Sequence, residues 1–251
     1  MLSHRLKLSR AVEHLYALKA VTERWQQGEP CGIRHYCETQ SRKHIFAMEV
    51  RSQPADPVIP FLIGDCIHNA RHALDHLAYG LAVRVGGDPP GNEETSQFPI
   101  RKPSSFDGAL ANDIGPKKAM PKGLYAALEG LQPYHGGGLE VLGALDRLDK
   151  LDKHRFPPVV AGVGEVPSFH IGQLSVSYMQ GPRVGAVKDG APILEYVPQP
   201  GTDMNMDFEF IPAIAFDERS PVAAGQSVAP FLDSILSVIS ARVFPTLEPF
   251  L

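Results

Sequence analysis

Apolar residues return along this chain with two different periods, and the change of period divides it. Between residues 4 and 27, Leu8, Ala11, Val12, Leu15, Leu18, Ala20 and Trp25 recur at broadly helical spacing, and Gly28 and Pro30 stop the pattern. From Arg42 to Arg51 the period falls to two. His44, Phe46, Met48 and Val50 lie on one side and Ile45, Ala47 and Glu49 on the other, which predicts a short strand. After Pro54, Pro57 and Pro60 comes the strongest helical signal, residues 59–85. There Ile63, Ile67, Ala70, Leu74, Leu77 and Leu81 follow in alternating steps of four and three, the spacing that holds one stripe against a core. Gly86-Gly87-Asp88-Pro89-Pro90-Gly91 ends it.

Residues 88–103 predict a loop, after which Ser104 or Ser105 is placed to cap a short helix reaching Asn112. Lys117 to Leu131 predicts another helix, closed by Gln132-Pro133. The run Gly136-Gly137-Gly138 precedes a helix from Leu139 to about Arg155, ended by Pro157 and Pro158. Beyond 156 the composition turns β-rich. Phe169–Met179, Ile193–Val197 and Met206–Phe216 are separated by Gly, Pro and Asp turns, as in an antiparallel meander, with Lys188-Asp189-Gly190 as a hairpin turn. A final helix, about Val228 to Val243, carries Phe231, Ile235, Val238 and Ile239 on one side.

The fold class expected is α+β: a bundle of about five or six helices with a small antiparallel sheet of about four or five strands in the C-terminal half. The strand at 42–51 would leave its backbone groups unpaired if it stood alone, so it is expected to join that sheet. One composite domain over 1–251 follows, with a mainly helical part (1–155), a β-meander (156–217) and a closing helix (228–245). No internal repeat interrupts it.

Composition narrows the function classes. Apolar residues make up 43% and charged residues 21%, an ordinary globular balance. A net charge of −4 supplies no general basic field, so attraction to a phosphate backbone has to come from a local patch. Three cysteines (Cys31, Cys37 and Cys66) cannot make a disulfide framework, and unpaired thiols fit a reducing compartment. The first residues form an amphipathic pattern without a secretory apolar core. The apolar stretch Val228–Ile239 is interrupted by Asp233 and falls short of the roughly 20 residues that cross a bilayer. A cytoplasmic protein with no membrane association is expected.

The helix at 59–85 also carries the candidate chemistry. Opposite its apolar stripe, within an arc of about 100° at 100° per residue, lie Asp65, His68, Asn69, His72, His76 and Tyr79, with Arg71 and Asp75 on the flank, four apart and able to pair. A merely solvated face collects Lys, Glu and Gln. This face has neither Lys nor Glu and holds three histidines spaced by four, the residue suited to proton transfer near neutral pH. A polar face packed under the sheet, with its imidazoles hydrogen-bonded as fillers, is the structural alternative.

Two chemistries suit such a face. One is phosphodiester cleavage without a metal, an imidazole (His76) moving the proton while a guanidinium (Arg71) braces the phosphate. The other is metal binding. The outer two of His68, His72 and His76 stand about 12 Å apart along the helix axis, so a metal would need Asp65 and a ligand from elsewhere such as Asp149, Asp152 or His154.

The string Arg71-His72-Ala73-Leu74-Asp75-His76 resembles the Arg-x4-His signature of HEPN-type ribonucleases, including the polar residue after the arginine. That resemblance covers six residues. It implies a helical bundle that pairs as a homodimer and cuts RNA at a composite site without a cofactor, with Arg71, His72 and His76 as the catalytic set. The longer string from Gly64-Asp65 through His68-Asn69 and Arg71 to His76 also resembles a pattern of bacterial proteins with no assigned role, often followed by Asp-Lys-His-Arg, here Asp152-Lys153-His154-Arg155.

Lys153, His154 and Arg155 close the 139–155 helix. They complement its dipole, with Asp149 placed to pair with Lys153, or they lend positive charge to a phosphate near Arg71. With Asp65, His68, Asn69 and Tyr79 they form the expected substrate-binding set, for RNA or a nucleotide. Tyr134-His135-Gly136-Gly137-Gly138 offers backbone N–H groups but lacks the Lys-Ser/Thr of a phosphate loop. Cys31, His35, Cys37 and His44 lack a usual zinc spacing. The functions left open are a metal-independent ribonuclease or nucleotide-handling protein, a non-catalytic binding or regulatory bundle, and a metal-dependent hydrolase.

Overall fold

The computed structural model describes residues 3–88, 90, 96–171, 176–200 and 206–251. The fold class is α+β, with helices and two small antiparallel sheets. In chain order the elements are α1 (Ser3–Gln27), β1 (Cys31–Glu38), β2 (Lys43–Val50), α2 (Val58–Gly86), α3 (Phe106–Asp113), α4 (Leu124–Gly130) and α5 (Glu140–Asp152), then β3 (Val159–Ile171), β4 (Val176–Gln180), β5 (Gly185–Ala186), β6 (Pro192–Pro198), β7 (Met206–Phe216) and α6 (Val228–Val238). The chain divides into two compact units, and it enters each more than once: Met1–Ala17, Phe61–Phe156 and Leu232–Leu251 form the first, Leu18–Pro60 and Pro157–Phe231 the second.

The first unit is helical, and α2 is its spine. Every residue of the expected stripe, Ile63, Ile67, Ala70, Leu74, Leu77 and Leu81, is buried. The interior side of the helix is wider than that stripe, because Cys66, Ala73, Ala78 and Ala82 are buried too. Small residues there let neighbouring elements approach closely. Leu8, Ala11 and Leu15 of α1, Leu124 and Leu128 of α4, and Leu142, Leu145 and Leu148 of α5 add their own buried stripes. The helix expected over Lys117–Leu131 is shorter than its pattern: a 3-10 turn at Lys117–Ala119 precedes α4, because Pro121 cannot supply the N–H that continuity needs. Ser105 stands at the N-cap position of α3, yet its hydroxyl donates to Lys102 O instead of capping. The last helix also differs from expectation. It runs on from α6 through a π-helical stretch, Ile239–Val243, into a final turn at Phe244–Leu247. The 23-residue segment Val228–Phe250 is long and apolar enough to span a membrane, but it buries Ile235, Ile239, Val243, Phe244 and Leu247 in the protein.

In the second unit the strands form two sheets instead of one meander. One has the order β1-β2-β6-β4 and the other β5-β3-β7, all pairs antiparallel. The strand expected near 42–51 does join the C-terminal strands, through β6, and gains β1 on its other edge. That first strand went unforeseen because Gly32, Arg34 and Cys37 blur its alternation. Cys31, Phe46, Met48, Ile193, Leu194 and Tyr196 pack with Ala161 and Val163 of β3 in one cluster. At Gly162 a Cβ would come within 2.3 Å of the Gly185 carbonyl oxygen, so β5 can cross there only over glycine. The turn expected at Lys188-Asp189-Gly190 is present, closed by Ala191 N–H on Lys188 O. It links β5 and β6, which belong to different sheets, so it is not a hairpin turn. Of the strand expected over Phe169–Met179, residues 172–175 lie outside the described residues; the described ends belong to β3 and β4 in different sheets.

Truncating Leu74, which is fully buried, should lower stability by about 2–5 kcal/mol. The denaturant midpoint of Leu74→Ala against the parent protein checks it.

Candidate functional site

The polar face of α2 is open at its ends and half-covered in its middle. Asp65 and His76 are exposed, whereas His68, Asn69, His72 and Tyr79 are intermediate. His68 and His72, one turn apart, bring their ring centroids to 3.9 Å.

What orders this face comes from α5. Asp149 is buried, and its Oδ1 lies 3.0 Å from His68 Nδ1 while Oδ2 lies 2.8 Å from Lys153 Nζ. Burial by itself pushes this carboxyl up, but the bonds from Lys153 and His68 outweigh it and hold the group below the usual carboxylate range. A bond at Nδ1 makes that nitrogen the protonated one and leaves Nε2 for exchange; the His68 side chain keeps 46% of its exposure. Next to this pair sits Asp152. A Cβ on Gly64 would meet its carboxylate at 2.7 Å, so the glycine is what admits it. Asp152 Oδ1 is buried without a hydrogen-bond partner, and burial together with Asp149 raises its pKa.

Helix α1 supplies the third side. Lys7 and His14 lie one heptad apart on the flank of the Leu8/Ala11/Leu15 stripe. His14 Nδ1 is 3.9 Å from Asp65 Oδ2. Burial lowers the His72 pKa to about 4, with His68 and Lys7 adding to the effect. Burial and Lys7 lower that of His76 as well. Both rings are therefore neutral at pH 7 and able to accept a proton or a hydrogen bond. His4 is buried, held by Glu248 at 2.9 Å and edge-on to Phe244.

Arg71 occupies a different environment. Its side chain is only 5% exposed and pairs with Asp75 at 3.0 Å, as the spacing of four leads one to expect. Its Nη2 also donates to Phe98 O at 3.0 Å, while Asp75 Oδ1 accepts Phe98 N–H at 2.9 Å. The pair thus grips both backbone groups of one residue. Gln132 continues the grip, donating to Pro99 O and accepting from Arg101 N–H. Buried Arg71 and Gln132, with half-buried Asp75, hold the segment 98–101 to the helices as a strand partner would. Nη1 of Arg71 has no hydrogen-bond partner and lies 4.0 Å from Asp146.

The remaining expected site residues divide. Lys153 reaches the cluster through Asp149. His154 and Arg155 are exposed past the end of α5, which closes at Asp152, short of the expected Arg155. Asn69 donates to the carbonyl of Asp65 and so serves its own helix. Tyr79 is half-buried. In the second unit His35 and His44 hydrogen-bond at 3.0 Å and stack with Phe46 and Tyr196. Burial raises the thiols of Cys31 and Cys66 to about 11 and about 12, which makes them poor nucleophiles. Among the described residues no three His, Cys, Asp or Glu side chains converge as metal ligands.

Sequence reasoning identified the α2 face but missed Lys7, His14, the orienting role of Asp149 and the Phe98 clamp. The flank of α1 did carry a signal, a Lys and a His one heptad apart beside a core stripe. The clamp carried none, since it depends on where residues 98–101 fold back. Comparison of the chain with family models, curated proteins and solved structures finds no match.

Arg71→Ala should strand Asp75 and the Phe98 carbonyl and destabilise by about 3 kcal/mol, read as a shifted urea midpoint. The His72 pKa of about 4 lies below its unfolded value of 6.5, so the unfolded chain binds the extra proton first. Stability from this group is complete above pH 6.5 and lost as pH falls toward 4. Melting temperature measured across that window should fall less steeply in His72→Gln than in the parent.

Proposed function

We propose that this protein cleaves RNA without a metal, by acid–base transfer at the histidine face of α2. One observation carries the reading. His68 has its Nδ1 held by buried Asp149, while neutral His72 and exposed His76 lie on the same face with cations on either side. An imidazole oriented through one nitrogen by a carboxylate is the arrangement that general acid–base catalysis needs.

In this reading neutral His72 takes the proton of the ribose 2′-hydroxyl as its oxygen attacks the adjacent phosphorus. His68, whose ring lies 3.9 Å from that of His72, acts in its doubly protonated form, Nδ1–H held by Asp149, and gives its Nε2 proton to the departing 5′-oxygen. The P–O5′ bond breaks, and the products are a 2′,3′-cyclic phosphate and a 5′-hydroxyl. Lys7, whose charge acts on His72 and His76, and Lys153, paired with the Asp149 that holds His68, are the cations available to stabilise charge on the phosphoryl oxygens. His76, one turn beyond His72 and exposed, is placed to hydrogen-bond the adjoining nucleotide. The HEPN resemblance supports the same chemistry, with the cationic role passing from Arg71, which the Phe98 clamp engages, to the lysines.

His68→Gln and His72→Gln should each lower cleavage of a fluorescent single-stranded RNA in EDTA by about 10²–10⁴-fold. The parent should leave 2′,3′-cyclic phosphate ends and spare DNA of the same sequence. Unchanged cleavage in both variants, or none by the parent protein, removes the catalytic reading and leaves the non-catalytic binding bundle.

A further inference from the structure

A second feature of the helical unit is a cleft of about 650 Å³ whose lining includes Arg101, Lys102, Asp146 and Lys150. Its charged lining is Arg101, Lys102 and Lys150 against Asp146. In a chain of net charge −4 this is a local reversal of sign, the kind of patch that phosphate attraction needs here.

Three physical features make this cleft a built site. First, the segment that carries Arg101 and Lys102 is the one held by Arg71, Asp75 and Gln132. Burying Arg71 and Gln132 is costly unless their bonds are met, and here those bonds, with that of half-buried Asp75, fix a loop. Second, Asp146 is shared. Lys150 Nζ lies 2.7 Å from it at the surface, and buried Arg71 Nη1, otherwise unpartnered, lies 4.0 Å away. With Arg71 behind it the carboxylate stays compensated if Lys150, 65% exposed, turns to another anion. Third, Asp113 holds one edge of the Arg101 guanidinium at 3.2 Å, which limits its rotation and presents the fork in a set direction.

Helix α5 joins the cleft to the histidines. It gives Asp146 and Lys150 to the cleft and Asp149 and Lys153 to His68. Residues three apart on a helix are separated by about 4.5 Å along its axis. We infer that the cleft is a phosphate subsite, in which Arg101, Lys102 and Lys150 hold the backbone of single-stranded RNA beside the bond that the histidines cut. The inference rests on the proposed function for the identity of the strand. It makes a polynucleotide, not a mononucleotide, the preferred substrate class.

The test uses a fluorescein-labelled 12-nucleotide single-stranded RNA and anisotropy titrations over a range of salt, with the full chain carrying His68→Gln to prevent turnover. Adding Lys102→Ala and Lys150→Ala should weaken binding tenfold or more. It should also make the log–log salt slope shallower by about 1.4, since each phosphate contact on a single strand contributes about 0.7. Lys118→Ala with Lys122→Ala, exposed lysines outside the cleft, should leave both quantities unchanged. In the otherwise unaltered protein the cleft pair should raise KM for this RNA with kcat held. Equal loss from both lysine pairs, an unaltered slope for the cleft pair, or no binding by the parent overturns the subsite. Binding through the cleft without cleavage by the parent would retain the subsite and remove only the catalytic reading.

Discussion

A carboxylate inside a helical bundle is tolerable only if its charge is met, and the candidate site is arranged around that constraint at Asp149. The group is buried, and two partners answer it, His68 from α2 and Lys153 from its own helix. Because one partner is an imidazole on another helix, meeting the charge also fixes the rotation of α5 against α2 and the tautomer of the ring. Gly64 completes the fit by leaving room for Asp152. A larger residue there would separate the helices where the pair forms. Packing, electrostatics and the orientation of the ring are thus settled by one contact.

The same spine serves two purposes on two adjacent strips. Histidines occupy the strip turned toward α1 and α5, where burial and the Lys7 charge keep His72 and His76 neutral. Arg71 and Asp75 occupy the strip turned toward Phe98, where the guanidinium replaces a strand neighbour by bonding a backbone carbonyl. Low polarity around this pair strengthens its bonds and makes losing either partner expensive. The Arg-x4-His pattern is therefore spread over both strips: its arginine works inward and its histidine outward.

The second unit solves a different problem. Its strands come from both ends of the chain, so the sheet containing β1 and β2 closes only when β6 and β4 arrive. Histidine rings at its outer end stack on Phe46 and Tyr196. Aromatic packing, with a hydrogen bond between the two imidazoles, accounts for His35 and His44, whose spacing with Cys31 and Cys37 is not that of a zinc site.

Periodicity alone determined the helices with long, regular stripes, because burial of one face demands that period whatever lies opposite. α2 and the interior of α5 were legible for this reason, as were β2, β6 and the bounds of β7. Composition of the α2 polar face likewise marked it as unusual before any coordinates. Tertiary structure decided what periodicity cannot encode: which strands pair, since register depends on partners far along the chain, and which polar residues point inward. On a wheel Arg71 sits on the flank and His76 on the polar face, and neither position says which side chain is covered. Only the path of residues 98–101, folded back over one of them, makes the first a buried strut and leaves the second in reach of solvent.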